Sequence, residues 1–142
     1  SASRAASTIS GIPGHVIRDV HIDNMQFFVD GGGTRDEASI TPPEKEDGYP
    51  EPTMFGTLPA YGFYIRHAQG VTISNVKIRC DRPDQRPAVS LDDVTDARFR
   101  FMDLEKMAGI SLYALKQVKG FSVFQSPPTA DVHVDELTTG SY

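Results

Sequence analysis

The feature of this sequence that most constrains its fold is an internal repeat. Copies of one template occupy residues 14–27 (second half only), 62–78, 88–103, 109–125 and 131–135 (a partial copy). Apolar residues alternate within the copies, as Val71 and Ile73 do, which is the period of a β-strand with one buried face. Such copies stack on one another because no single copy can bury its apolar face alone. The pattern predicts an all-β solenoid, a short parallel β-helix of about four to five turns.

Aligning the copies also predicts which side chains share the interior. The predicted inward columns are Phe63, Val89 and Ile110, followed by Ile65, Leu91 and Leu112. Each fully buried side chain of this kind contributes about 1.5–3 kcal/mol before the entropy cost of ordering the chain is subtracted. Asn24 and Asn75 stand at equivalent places after their strands, where asparagine favours a tight turn.

The chain is long enough for one domain with a single core, and we expect residues 1–142 to form it. We expect residues 1–8 to form a flexible leader. Residues 30–60 interrupt the repeat with three consecutive glycines and five of the ten prolines, which indicates a long loop. Loops of this length in a compact domain often serve as lids or contact surfaces. We expect residues 49–61 to pack back onto the strands, because they are rich in apolar anchors.

Charge and composition exclude several classes of function. The chain carries 14 Lys and Arg against 19 Asp and Glu, so we expect neither nucleic acid nor an anionic membrane as a partner. No apolar run reaches the roughly 20 residues of a membrane-spanning helix. The single cysteine, Cys80, cannot form an internal disulfide. The sequence shows neither a nucleotide-binding fingerprint nor close histidine spacing, and we expect no cofactor and no metal.

Side chains that alternate with the inward columns predict a binding surface on the same strands. The predicted outward columns are Tyr64, Ser90 and Ser111, then Arg66, Asp92 and Tyr113. An arginine binds a uronate carboxylate through two hydrogen bonds, and tyrosine rings stack on sugar faces. The alternative is a surface ion pair between Arg66 and Asp92 that Tyr113 covers. His67 either belongs to this surface or is a turn residue satisfied by its neighbours. The predicted substrate-binding residues are Tyr64, Arg66, His67, Asp92 and Tyr113.

Two segments carry a resemblance to a known family. Residues 9–25 (ISGIPGHVIRDVHIDNM), the glycine turn at 31–33 and especially residues 49–67 (YPEPTMFGTLPAYGFYIRH) resemble the C-terminal part of bacterial family 28 glycoside hydrolases. In that family the fold is a right-handed parallel β-helix, and the activity is inverting hydrolysis of galacturonide bonds in pectin. The resemblance implies a right-handed β-helix, a pectin-type polysaccharide or oligogalacturonide as the partner, and a periplasmic or extracellular location in a bacterium.

The catalytic motifs of that family are absent from this chain in their family context. They are an Asn-Thr-Asp, an Asp-Asp pair, a Gly-His-Gly and an Arg-Ile-Lys on earlier turns of the β-helix. Here Gly14-His15 is followed by valine, and Asp92-Asp93 lies on a late repeat where adjacent side chains point to opposite faces. We therefore assign no catalytic residue and expect a C-terminal segment with a scaffold or carbohydrate-binding role.

Two further expectations follow from this interpretation. The alternative function is a stand-alone small hydrolase whose active site is metal-assisted or formed between subunits. The first repeat would expose unpaired backbone groups and apolar column ends at its open side. We expect a homo-oligomer that covers this end, or one that associates through the loop at residues 30–60.

Overall fold

The computed structural model describes residues 6–51 and 53–142, and its regular structure is β-strand apart from one short 3-10 helix. The strands are β1 (Ser7–Ser10), β2 (Ile17–Gly31), β3 (Phe63–Arg82), β4 (Val89–Arg100), β5 (Tyr113–Phe124) and β6 (Val132–Ser141), and the 3-10 helix is Asp36–Ser39. The described residues contain no α-helix, so the predicted all-β class is confirmed.

The strands form one six-stranded sheet that is mostly parallel. β1 and β2 both pair with β3, and β4 and β5 follow in parallel. Between β3 and β4 the register is the one that the repeat predicts, since Phe63 faces Val89. Between β2 and β3, Ile22 faces Ile73, as the half copy at residues 14–27 predicts. For β2, β3 and β4 the sequence repeat therefore corresponds to the register of strand pairing.

The register of β5 differs from the one that the repeat predicts. Val89 faces Tyr113 and not Ile110, so the predicted columns through Ile110 and Leu112 are wrong. A shift by an odd number of residues exchanges the two faces of a strand. Tyr113 therefore points into the interior, where it is fully buried with its ring centroid 5.4 Å from that of Phe99. The larger ring fills interior volume that a shorter side chain would leave empty, which favours this register.

Residues with a left-handed backbone bend β2 to β5 at equivalent positions. They form three columns: His67, Asp93 and Gln117; Asp19, Gly70, Asp96 and Gly120; and Asn24, Asn75, Phe101 and Gln125. Glycine, asparagine and aspartate adopt this region most readily, which accounts for most of the residues found there. Asn24 and Asn75, predicted to form tight turns between strands, lie at left-handed bends within β2 and β3.

Because of these bends, inward side chains from successive segments of one strand meet in a single core. β3 alone contributes seven almost completely buried apolar residues to this core, Phe63, Ile65, Ala68, Val71, Ile73, Val76 and Ile78. Val20 and Phe27 of β2 pack against this core on one side, and Val134 of β6 packs against it on the other. The alternation in the sequence thus serves one interior shared by all the strands.

The two ends of the sheet depart from the predicted ends of the array. Ser7 and Thr8, expected in a flexible leader, lie in β1 and pair with β3. Residues 1–5 of that leader lie outside the described residues. β6, predicted as a partial parallel copy at residues 131–135, runs antiparallel to β5. The connection between β5 and β6 is short, and a parallel return requires a crossover of roughly a dozen residues or more.

The segment between β2 and β3 is held to the rest of the chain by a buried ion pair. Arg86 donates to Asp84 Oδ2 at 2.8 Å and to the carbonyl oxygen of Leu58 at 3.0 Å. The amide of Gly33 donates to the same Asp84 oxygen at 3.0 Å. Leu58 is buried, whereas residues 45–50 are exposed, so the expected return of residues 49–61 onto the strands is seen in their final part.

Candidate functional site

A groove of about 260 Å³ lies between residues 38–41 and the outward side of β3, β4 and β5. Its polar floor consists of Tyr64, Ser90, Asp92 and Lys116, which come from three neighbouring strands. Strands in a sheet lie about 4.8 Å apart, so these side chains form a compact set. The volume lies just under the roughly 300 Å³ at which pockets for drug-sized molecules begin. A single sugar ring or another small polar molecule suits a groove of this size.

The hydroxyl of Tyr64 is the least satisfied polar group in this groove. Tyr64 is 1% exposed, and its hydroxyl has no hydrogen-bond partner among the described residues. Burial raises the pKa of Tyr64 to about 12, with the Asp92 and Glu44 carboxylates adding to the effect and Arg66 opposing it. The group therefore stays a neutral hydroxyl at physiological pH, able both to donate and to accept a hydrogen bond.

Asp92 and Lys116 place opposite charges on the floor of the groove. They are paired residues of β4 and β5, with Asp92 partly buried and Lys116 exposed. The alignment of the repeat copies predicts Tyr113 beside Asp92, where the structure has Lys116, and that prediction is wrong because β5 has a different register. An ammonium group attracts a ligand carboxylate, whereas the carboxylate of Asp92 accepts hydrogen bonds from hydroxyl groups. The floor can thus bind a molecule that carries both kinds of group.

Arg66 does not lie on an exposed binding wall as predicted. Its side chain is 1% exposed, and Nη1 and Nη2 donate to the carbonyl oxygens of Pro42 and Pro43 at 2.6 and 3.0 Å. Its guanidinium also lies 5.5 Å from the ring centroid of Phe55, a cation–π contact. Arg66 faces Asp92 in the register, but its donors are turned toward the inserted segment. Its role in this structure is to anchor that segment above the strands.

His67 sits at a bend and is bonded through both ring nitrogens. Nδ1 lies 2.6 Å from Asp93 Oδ2, and Nε2 lies 3.0 Å from Glu44. Partial burial lowers the pKa of His67, but the hydrogen bonds of Glu44 and Asp93 outweigh it and raise the pKa above its ordinary value. An imidazolium ring donates to both carboxylates at once. His67 therefore has the geometry of a satisfied turn residue, one of the two interpretations left open by the sequence.

The two carboxylates on His67 are not arranged as ligands of one metal ion. They bind opposite edges of one ring, so the three groups cannot converge on a single ion. In the part of the chain that the structure describes, no three His, Cys, Asp or Glu side chains are gathered as metal ligands.

The structure thus brings together two of the five predicted site residues. Tyr64 and Asp92 line the groove, Arg66 and His67 hold its covering segment, and Tyr113 lies in the core. Sequence reasoning missed Lys116, which the alternation would have supplied with the correct register of β5. It also missed the contact between Glu44 and His67, because nothing in the sequence of residues 42–48 indicates which residue Glu44 would bind.

Comparisons with protein-family models, with curated proteins and with solved structures find no match to this chain. Among the described residues there is no helix of the length and apolar character needed to cross a membrane.

Proposed function

We propose that this chain is a segment of a right-handed parallel β-helix that binds an acidic glycan of the pectin type without cleaving it. The three columns of left-handed bends support the β-helix, since they turn successive strands at the same three places around one core. A coil is the arrangement in which parallel strands, bends and a shared interior all repeat together.

The identity of the glycan is supported by the sequence resemblance and by the charges of the groove. Residues 49–67 resemble family 28 glycoside hydrolases, which act on galacturonan, and a periplasmic or extracellular bacterial location belongs to the same proposal. A galacturonate ring carries one carboxylate and several hydroxyl groups. Lys116 binds the carboxylate, and Ser90 and Asp92 bind the hydroxyl groups.

The observation that carries the proposal is the buried hydroxyl of Tyr64. A buried polar group without a partner costs about 1–3 kcal/mol, so such groups are rare in folded proteins. This hydroxyl belongs to a residue that lines the groove, and a sugar hydroxyl would supply the missing partner once the side chains that cover it move aside. The free energy that the unpaired hydroxyl costs the protein would then be recovered only when the sugar binds, and this recovery would contribute to the affinity.

Binding without hydrolysis follows from the number of carboxylates. Inverting glycoside hydrolysis requires two carboxyl groups facing one cleft, roughly 6.5–9.5 Å apart. Among the described residues that line the groove, Asp92 is the one carboxylate, and the adjacent Asp93 is bonded to His67. The groove therefore lacks the second group that would activate water.

The proposal is tested by calorimetric titration of the purified chain with an oligogalacturonide, followed by an assay for released reducing ends. We expect binding without release, and Lys116→Gln should weaken binding about two- to fivefold because an exposed charge pair is lost. Lys119→Gln is the matched control, since Lys119 is also exposed on β5 but lies outside the groove. Equal losses in both variants, or binding of a neutral galactose oligomer with the same affinity, would contradict the proposal. Release of reducing ends would show that the chain is an enzyme.

We also propose that the chain self-associates through β2. β2 pairs with β3 on one side, and no strand among the described residues pairs with its other side. Met25 and Phe28 of this strand are 46% and 66% exposed. An unpaired strand edge with exposed apolar side chains readily pairs with another strand. Analytical ultracentrifugation should show concentration-dependent dimers that Phe28→Lys weakens, whereas a monomer at high concentration would contradict this assignment.

A further inference from the structure

A second and larger pocket lies away from the groove, where β4 and β5 end and β6 begins. It has a volume of about 630 Å³ and is lined mainly by apolar groups. We call it the Phe pocket; its lining includes Arg100, Phe101 and Phe124, with Ser122 and His133 at the rim. Pockets of this size and apolar character are those that usually bind small ligands.

Phe101 has an unusual backbone for its residue type. Its φ is 54°, in the left-handed region, where bulky residues are rare. The equivalent positions in β2 and β3 are held by Asn24 and Asn75, which adopt this region readily. Gln125 holds the equivalent position after β5, so the column tolerates residues other than asparagine, and at Phe101 the strained position carries a ring that lines the pocket.

The ring of Phe101 lies beside that of Phe124 without being buried by it. The two centroids are 5.8 Å apart in an edge-to-face arrangement, and the two residues are 49% and 48% exposed. Their mutual contact therefore leaves about half of each residue open to solvent. Aromatic ligands bind to such pairs through further stacked or edge-to-face contacts.

Arg100 supplies a cation at the same pocket. It is exposed, and no hydrogen bond or ion pair engages it among the residues that the structure describes. The other charged groups nearby are occupied, because Asp131 accepts from the amide of Gln125 at 2.8 Å and His133 bonds Asp135 at 3.0 Å. An unpaired guanidinium binds a carboxylate through two parallel hydrogen bonds.

We propose that the Phe pocket binds a small aromatic carboxylate. Arg100 binds its carboxylate, and the exposed faces of Phe101 and Phe124 contact its ring. The apolar lining favours a flat ring over a hydrated sugar, which distinguishes this pocket from the polar groove at Lys116. The site does not depend on the proposed binding of glycan in the groove.

The test is a titration of the ¹⁵N-labelled chain with benzoate, followed by proton–nitrogen correlation NMR. We expect shifts confined to the residues that line the Phe pocket. Benzamide, which lacks the charge, and acetate, which lacks the ring, should each bind roughly tenfold more weakly or not at all. Galacturonate binding as well as benzoate at this pocket would overturn the aromatic assignment, and shifts spread over the whole surface would indicate no specific site.

Three variants separate binding from folding. Phe101→Asn places at this bend the residue found at the equivalent bends of β2 and β3, so the fold should be kept while benzoate binding falls roughly tenfold. Arg100→Gln should weaken benzoate to the level of benzamide. Arg98→Gln is the control, because Arg98 is an exposed arginine of the same strand that is already paired with Asp96. Unchanged benzoate affinity in Phe101→Asn and Arg100→Gln would overturn the proposal, as would a change of oligomeric state in Phe101→Asn, which would make the rings a subunit contact.

Discussion

Removing one oxygen atom from the groove should stabilise the protein and weaken its binding at the same time. Tyr64→Phe deletes a hydroxyl that is buried without a partner among the residues that the structure describes. Because an unsatisfied buried polar group costs about 1–3 kcal/mol, the free energy of unfolding should rise by about 1 kcal/mol or more. For a chain of this length that corresponds to an increase in Tm of about 4 °C per kcal/mol. Oligogalacturonide affinity should fall about threefold to tenfold, since one hydrogen bond is lost from the complex.

Two further tyrosines provide matched controls for this prediction. Tyr113 has the same kind of unsatisfied hydroxyl but lies in the core, so Tyr113→Phe should raise stability and leave binding unchanged. The hydroxyl of Tyr61 donates to the carbonyl oxygen of Glu105 at 2.9 Å, so Tyr61→Phe should lower stability by about 1 kcal/mol. Urea unfolding followed by circular dichroism measures all three. A loss of stability in Tyr64→Phe would refute the reasoning, because the hydroxyl would then have a partner in the free protein.

Three other substitutions have expected outcomes. Because the pKa of His67 is raised in the folded protein, its contribution to stability is fully present below the unfolded pKa of about 6.5 and is lost as the pH rises through the folded pKa. Urea unfolding from pH 5.5 to 9 should therefore show a decline in the free energy of unfolding, and His67→Asn should remove this decline. Asp84→Asn removes the carboxylate charge that pairs with the buried Arg86 and should lower the free energy of unfolding by about 3–5 kcal/mol, as measured by the same urea assay. Gly31→Ala should reduce the thermal midpoint more than Gly14→Ala, because only at Gly31 would the new Cβ lie 2.0 Å from a backbone oxygen, although both residues have positive φ.

The sequence predicts the strands and part of their register because burial imposes a strict alternation. The pairing of β3 with β4 follows directly from it, since a shift by one residue there would place Phe63 and Val89 in solvent. In β5 the alternation is ambiguous, because Ile110 and Leu112 form an apolar pair on the opposite face to Tyr113 and Leu115, so either pair satisfies the pattern. Side-chain volume decides between the two registers, and a pattern that records only whether residues are apolar or polar carries no information about volume.

The candidate site was harder to predict because the inserted segment determines which outward residues are exposed. Alternation places Arg66 on the outward side, but the carbonyl oxygens of Pro42 and Pro43 that bury it lie in a part of the chain without a periodic pattern. Long-range contacts of this kind leave no local trace in the sequence. Tyr64 and Asp92 were predicted because strand pairing alone places them on the outward side of β3 and β4, where the groove lies.

The most direct test of the proposed function is a titration of the ¹⁵N-labelled chain with an oligogalacturonide, monitored by proton–nitrogen correlation NMR. Glycan binding in the groove predicts saturable shifts at Ser90, Asp92 and Lys116, with the amides around the Phe pocket unchanged. Spectra that do not change at millimolar ligand, or shifts that lie elsewhere on the surface, would contradict it.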